Sequence, residues 1–140
     1  MNIKETKLIN CVEVINNASL GRLYFYDNVV ISEINEGAHV SLDVGEEHTE
    51  LIQNHFGDKP FIYLSNRVNE FSTNAIDFEK FCNIFPNMKA FLTVYYNQFT
   101  YKSLFFEKQF CKTPYFDFKN LTEAYNYVSL YLLNQLNMIA

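Results

Sequence analysis

Three times along this chain a short, continuously apolar or aromatic run precedes a stretch whose apolar positions recur at helical spacing. That alternation narrows the possible folds more than any other feature. The runs are Phe61-Ile62-Tyr63-Leu64, Ala90-Phe91-Leu92-Thr93-Val94-Tyr95-Tyr96 and Tyr115-Phe116-Asp117-Phe118. A strand apolar on both faces is one covered on both sides, as in a parallel sheet layered with helices. Behind the first run, Ala75, Phe78, Phe81, Cys82 and Phe85 line one side of a predicted helix that stops before Pro86, and Ser72, Thr73 and Asn74 can each cap it. Thr100 to Cys111 reads as the helix behind the second run, closed by Thr113-Pro114. A last helix opens at Asn120 or Thr122 and continues through Leu121, Ala124, Val128, Leu132 and Leu136. Strand followed by helix, repeated, predicts right-handed crossovers and a largely parallel sheet.

The N-terminal part reads differently. Lys7 to Asn16 interleaves Ile and Val with polar residues, as a half-buried strand does. Leu23 to Tyr26 and Val29 to Ile34 flank Asp27-Asn28, a pair suited to a tight turn, so an antiparallel hairpin is expected there. After Gly37 the period lengthens: Val44, Leu51, Ile52 and Phe56 mark a helix, with Asp43 and Glu46 spaced as a capping box and Gly57 as its terminator. The expected fold is α/β, a mixed sheet with an N-terminal antiparallel hairpin followed by strand–helix units whose helices cover the sheet. No linker or low-complexity tract interrupts it, so residues 1–140 are expected to form a single domain. A chain of 140 residues buries roughly two-thirds of its unfolded surface, enough for one core.

Charge and cysteine usage exclude several functions. The net charge is −5 and the lysines and arginines are scattered, whereas binding a phosphate backbone needs a clustered basic face. Nucleic acid is therefore not an expected partner. Cys11, Cys82 and Cys111 form no metal-ligand spacing and read as small buried hydrophobes in a reducing compartment. Neither a signal peptide nor a stretch of roughly 20 apolar residues is present, so a cytoplasmic protein without a transmembrane segment is expected. The four glycines make no phosphate-cradling loop, and no cofactor is implied. His48 and His55 lie two turns apart on the predicted first helix, about 10 Å, with Ile52 between them. With His39, Glu46 and Glu47 they read as solvated surface and not as a metal site. No local motif marks a catalytic triad, although one can be assembled in space from distant segments.

The segments PFIYLSNR, KAFLTVYYN and YFDFKNLTEAYNYV, each in its place in this order, resemble the bacterial SpoIIAA-like group, relatives of the STAS domain and more distantly of CRAL-TRIO lipid carriers. The resemblance covers most of the chain and implies a domain that acts by binding. In anti-sigma-factor antagonists of the STAS type, the helix after the buried strand begins at a serine that is phosphorylated. The matching stretch here is Glu70-Phe71-Ser72-Thr73-Asn74, which keeps hydroxyls at a helix start but lacks an acidic residue directly before the serine and a glycine after it.

Two groups of candidate residues follow. Ser72, Thr73 and Asn74 are a candidate regulatory or partner-binding segment, weighed against simple helix capping. Tyr95, Tyr96, Phe99 and Tyr101, with Tyr127, Leu130 and Tyr131 of the last helix, are a candidate apolar ligand site or interface, weighed against core packing. The last helix carries apolar residues nearly all round, which favours a homodimer over closure on an apolar ligand. The function expected from sequence is a non-enzymatic binding or regulatory module working through protein contact. A carrier or sensor of a small hydrophobic molecule is the alternative, and a small hydrolase ranks third.

Overall fold

The β-branched and aromatic runs that mark the strands assemble into one sheet in the computed structural model, which describes residues 13–17, 20–41, 43 and 45–129. The main strands are β1 (Glu13–Asn17), β2 (Gly21–Phe25), β3 (Val29–Ile34), β5 (Phe61–Asn66), β7 (Met88–Val94) and β8 (Tyr115–Phe118). Between them lie α1 (Glu46–Phe56), α2 (Ala75–Ile84), α3 (Gln98–Phe110) and, last, α4 (Leu121–Tyr127). Two-residue strands β4 (His39–Val40) and β6 (Ser72–Thr73) pair in parallel as a separate flap. The six-stranded order is β1-β2-β3-β5-β7-β8. The first three strands are antiparallel, and β3, β5, β7 and β8 run parallel. The expected α/β class and mixed sheet are therefore present, with an antiparallel three-stranded start followed by three strand–helix–strand crossovers. The Asp27-Asn28 turn forms as expected, closed by the Tyr26 amide on the Val29 carbonyl.

Crossovers of one hand that advance in one direction place their helices on one face, and burial follows that rule. Ile52 and Phe56 of α1 and Phe78 and Cys82 of α2 pack on Leu23, Phe25, Val30, Phe61, Tyr63 and Phe91, with Phe110 of α3 alongside. On the opposite face Leu121, Ala124 and Val128, in and just after α4, cover Tyr24, Ile31, Ile62, Leu64 and Leu92. All six residues of β5 are buried, as its continuous apolar run requires. Each large apolar side chain removed from water in these two layers contributes about 1.5–3 kcal/mol. Along the first face, register aligns Tyr63 with Phe91 and Phe91 with Tyr115 on adjacent strands. Their rings stack 4.9 and 5.4 Å apart, an aromatic ladder whose two ends carry hydroxyls.

Several local expectations are corrected. The capping box at Asp43 does not form: Gly45 is the N-cap of α1 and carries no side-chain cap, because the backbone bonds Gly45 to Ser41 and Thr49 to Gly45 wind the turn directly into the helix. Glu46 and Glu47 then sit in the first turn, complementing the helix dipole. α3 begins two residues before Thr100, since the Asn97 side chain accepts from the Thr100 amide. Tyr125 and Tyr127 are not surplus apolar surface, for they pack on Tyr26, Phe116 and Phe118 of their own sheet. The expected strand before Glu13, Val44, and the last helix's Leu130, Tyr131, Leu132 and Leu136 lie outside the described residues.

Candidate functional site

Where parallel strands end, helix N-termini and connecting loops leave a crevice, the usual ligand position in open α/β sheets. Here the ends of β3, β5 and β7 bring together a set of buried polar residues. Arg67 directly follows β5 and is buried. Its Nη1 and Nη2 donate to Glu107 of α3 at 2.6 and 2.5 Å, and its Nε donates to Ser65 Oγ at 3.2 Å. The Phe71 ring covers the guanidinium at 5.1 Å. Tyr115 donates to Glu107 Oε1 at 3.2 Å, and Thr93 Oγ1 lies 2.8 Å from the Tyr115 hydroxyl. Burial works against the Arg67 charge, but the adjacent Glu107 carboxylate outweighs it and holds the guanidinium above its ordinary range. On the other face of β5, Tyr96 donates to Asn66 Oδ1 at 2.6 Å and Asn66 Nδ2 donates to Glu33 at 2.8 Å.

Above this floor lies a groove of about 510 Å³ between the β5–α2 connection and α3, lined by Arg67, Phe71, Ser72, Thr73, Phe99, Phe106 and Glu107. Phe99 and Phe106, seven residues apart on one face of α3, are 72% and 66% exposed. A second, smaller cavity of about 70 Å³ sits under the β4–β6 flap against His48, Tyr63, Phe78, Phe81 and Phe91.

Residues singled out from the sequence are distributed as follows. Asn74 is the cap of α2, accepting from the Ile76 and Asp77 amides. Ser72 and Thr73 are not caps: they form β6, where Ser72 Oγ meets His39 Nδ1 at 2.7 Å and Thr73 Oγ1 donates to the Val40 carbonyl. The four aromatics after β7 do not pack as one core patch. Tyr95, Tyr101 and Phe105 form a row of rings along α3, with centroids 4.8 and 5.2 Å apart. Tyr96 is turned toward Asn66, and Phe99 enters the groove. The structure thus joins Ser72, Thr73 and Phe99 at one site and leaves Asn74, Tyr95, Tyr101 and Tyr127 out of its lining. Sequence reasoning did not single out Arg67, Glu107 or Phe106, although a lone arginine closing a buried strand and a Phe-Phe pair on an amphipathic helix are the signals that could have marked them.

His48 is corrected as well: it is 5% exposed, not solvated, and its Nε2 lies 2.8 Å from the Tyr63 hydroxyl. Burial pushes its imidazole down to about 4 and raises the Tyr63 phenol, so both are neutral at pH 7. As pH falls below the ordinary histidine range, the unfolded chain takes up a proton that the folded chain refuses, and stability falls with it. At pH 4.5 this is on the order of 2–3 kcal/mol. Guanidinium denaturation at pH 7 and pH 4.5 should show that share of the acid loss disappearing in a His48→Phe/Tyr63→Phe double variant, which removes both partners. Equal acid losses in variant and parent would refute a buried neutral imidazole.

His55, half-buried, lies 2.9 Å from the Tyr26 carbonyl through its Nε2. Among the described residues no three of His, Cys, Asp and Glu converge as a metal site requires. The Ser72–His39 contact pairs a hydroxyl with an imidazole, but both stand on the exposed flap and no carboxylate hydrogen-bonds to His39 among the described residues. No described helix is long and apolar enough to cross a membrane. The chain is thus an α/β protein with a mixed six-stranded sheet and a groove at the carboxyl ends of its parallel strands. No protein-family model, curated protein or solved structure matches it.

Proposed function

We propose that this chain is a non-enzymatic binding or regulatory module of the SpoIIAA-like kind, which docks a protein partner in the groove between the β5–α2 connection and α3. The observation that carries the reading is the pair of exposed phenylalanines, Phe99 and Phe106, lining the same groove as Ser72 and Thr73. Large apolar side chains held in water beside a concave surface mark interaction sites. The groove floor bears one arginine and one glutamate that neutralise each other, and Lys102 of α3 adds an exposed cation to the lining. A partner that fits presents apolar anchors to the two phenylalanines and polar groups to the Ser72–Thr73 rim. A phosphate on Ser72 would bring negative charge to a rim that already holds Glu70 and Glu36, and would oppose docking.

The test compares the parent with Phe99→Ser/Phe106→Ser in quantitative capture from native lysate, alongside native mass spectrometry and a hydrolase substrate panel. Both side chains are exposed, so the variant should fold as the parent does while partner retention drops about 10- to 100-fold. Ser72→Asp should weaken the same capture. Undiminished retention in the double variant, stoichiometric co-purified lipid, or hydrolysis by the parent would each overturn the reading.

A further inference from the structure

The two cysteines described in the structure are not isolated. Cys82 lies on α2, in the layer packed against the sheet, and is 4% exposed; Cys111 is the C-cap of α3 and is half-buried. Separated by 29 positions in sequence, their sulfurs lie 3.4 Å apart. A disulfide needs about 2.05 Å between sulfurs, so the two would have to close by about 1.4 Å. We infer that Cys82 and Cys111 form a reversible dithiol–disulfide modification site that, when oxidised, ties the body of α2 to the end of α3. The inference rests on the sulfur geometry and is independent of partner docking.

The division of labour between the two thiols follows from their surroundings. Their mutual hydrogen bond and burial push the Cys82 thiol up, whereas the same contact brings the Cys111 thiol down. Cys111 is also the more accessible sulfur, and thiolate character with access decides which cysteine reacts first. With a peroxide as oxidant, the Cys111 thiolate attacks one peroxide oxygen, the O–O bond breaks, and Cys111 becomes a sulfenic acid as hydroxide leaves. Cys82 then attacks the Cys111 sulfur, the S–O bond breaks, and the disulfide forms as a second hydroxide leaves. Over both steps two thiols lose two electrons and two protons, and one peroxide becomes two waters. A dithiol reductant reverses the bond by exchange.

The experiment treats the full-length protein with hydrogen peroxide, blocks remaining thiols by alkylation and maps non-reduced peptides by mass spectrometry. The expected result is a linked pair of peptides carrying Cys82 and Cys111, two hydrogens lighter than their sum, lost on adding dithiothreitol. Two alkylatable thiols should disappear from each chain. In Cys82→Ser, Cys111 should instead stop at the sulfenic acid, trapped by a dimedone-type probe. Peptides that stay unlinked and fully alkylated, or that link to Cys11 or to a second chain instead, would overturn the inference.

Discussion

Replacing Glu107 by leucine should lower stability by about 3–5 kcal/mol, because it leaves the buried Arg67 guanidinium without its counter-charge. The carboxylate is bidentate to Arg67 and also accepts from Tyr115, so three donors lose an acceptor at once. The cost is charge burial more than lost packing, and a second variant separates the two. Arg67→Met/Glu107→Leu removes both charges and keeps apolar volume, so it should recover most of the loss, since apolar replacement of a whole buried pair is often neutral. Guanidinium denaturation of parent, single and double variants measures this directly. A single variant within about 1 kcal/mol of the parent would mean that water reaches the pair, as at exposed sites. A double variant as unstable as the single one would mean that the side chains matter through shape.

The ion pair also shows what kind of information the sequence held back. Arg67 and Glu107 are 40 positions apart, and neither stands in a motif. Their meeting requires β5 to end where α3 passes, a consequence of strand order that no local window contains. The same holds for Cys82 with Cys111 and for His48 with Tyr63. His48 read as surface because it shares a helix with exposed glutamates, yet α1 turns it toward the aromatic ladder. By contrast β5, β7 and α2 were legible at once. Continuous apolar runs have a single good solution, a strand covered on both sides, and Asn74 carries the cap chemistry in its own side chain. β4 and β6 were invisible because two residues cannot display a period. Their pairing converts Ser72 and Thr73 from expected caps into a flap edge. That change brings Ser72 and Thr73 to the same groove as Phe99.

Gly21→Ala should be as damaging as any single methyl added to this protein, costing about 3–5 kcal/mol, because two independent obstacles coincide. Gly21 opens β2 at φ 130°, where an L side chain is strained. A Cβ there would also lie 2.2 Å from the Glu33 carbonyl oxygen and 3.0 Å from the Asn35 amide nitrogen. Both are backbone atoms of the neighbouring strand and its exit, so no rotamer change relieves them. Gly21 stands opposite Ile34 on one side and Asn17 on the other, and β2 cannot step away from one neighbour without pressing on the other. Displacing β3 at Glu33 would also disturb the Asn66 bond that reaches Tyr96 at the end of β5. Gly37→Ala is the control: its φ is 76°, but its Cβ would meet nothing within 4 Å, so only the backbone term of about 1 kcal/mol should remain. Thermal and denaturant unfolding of the two variants should therefore differ by about 2 kcal/mol or more. Equal losses would mean that the close approach of β2 and β3 relaxes without cost, and that the glycine serves the turn before β2 and not the sheet.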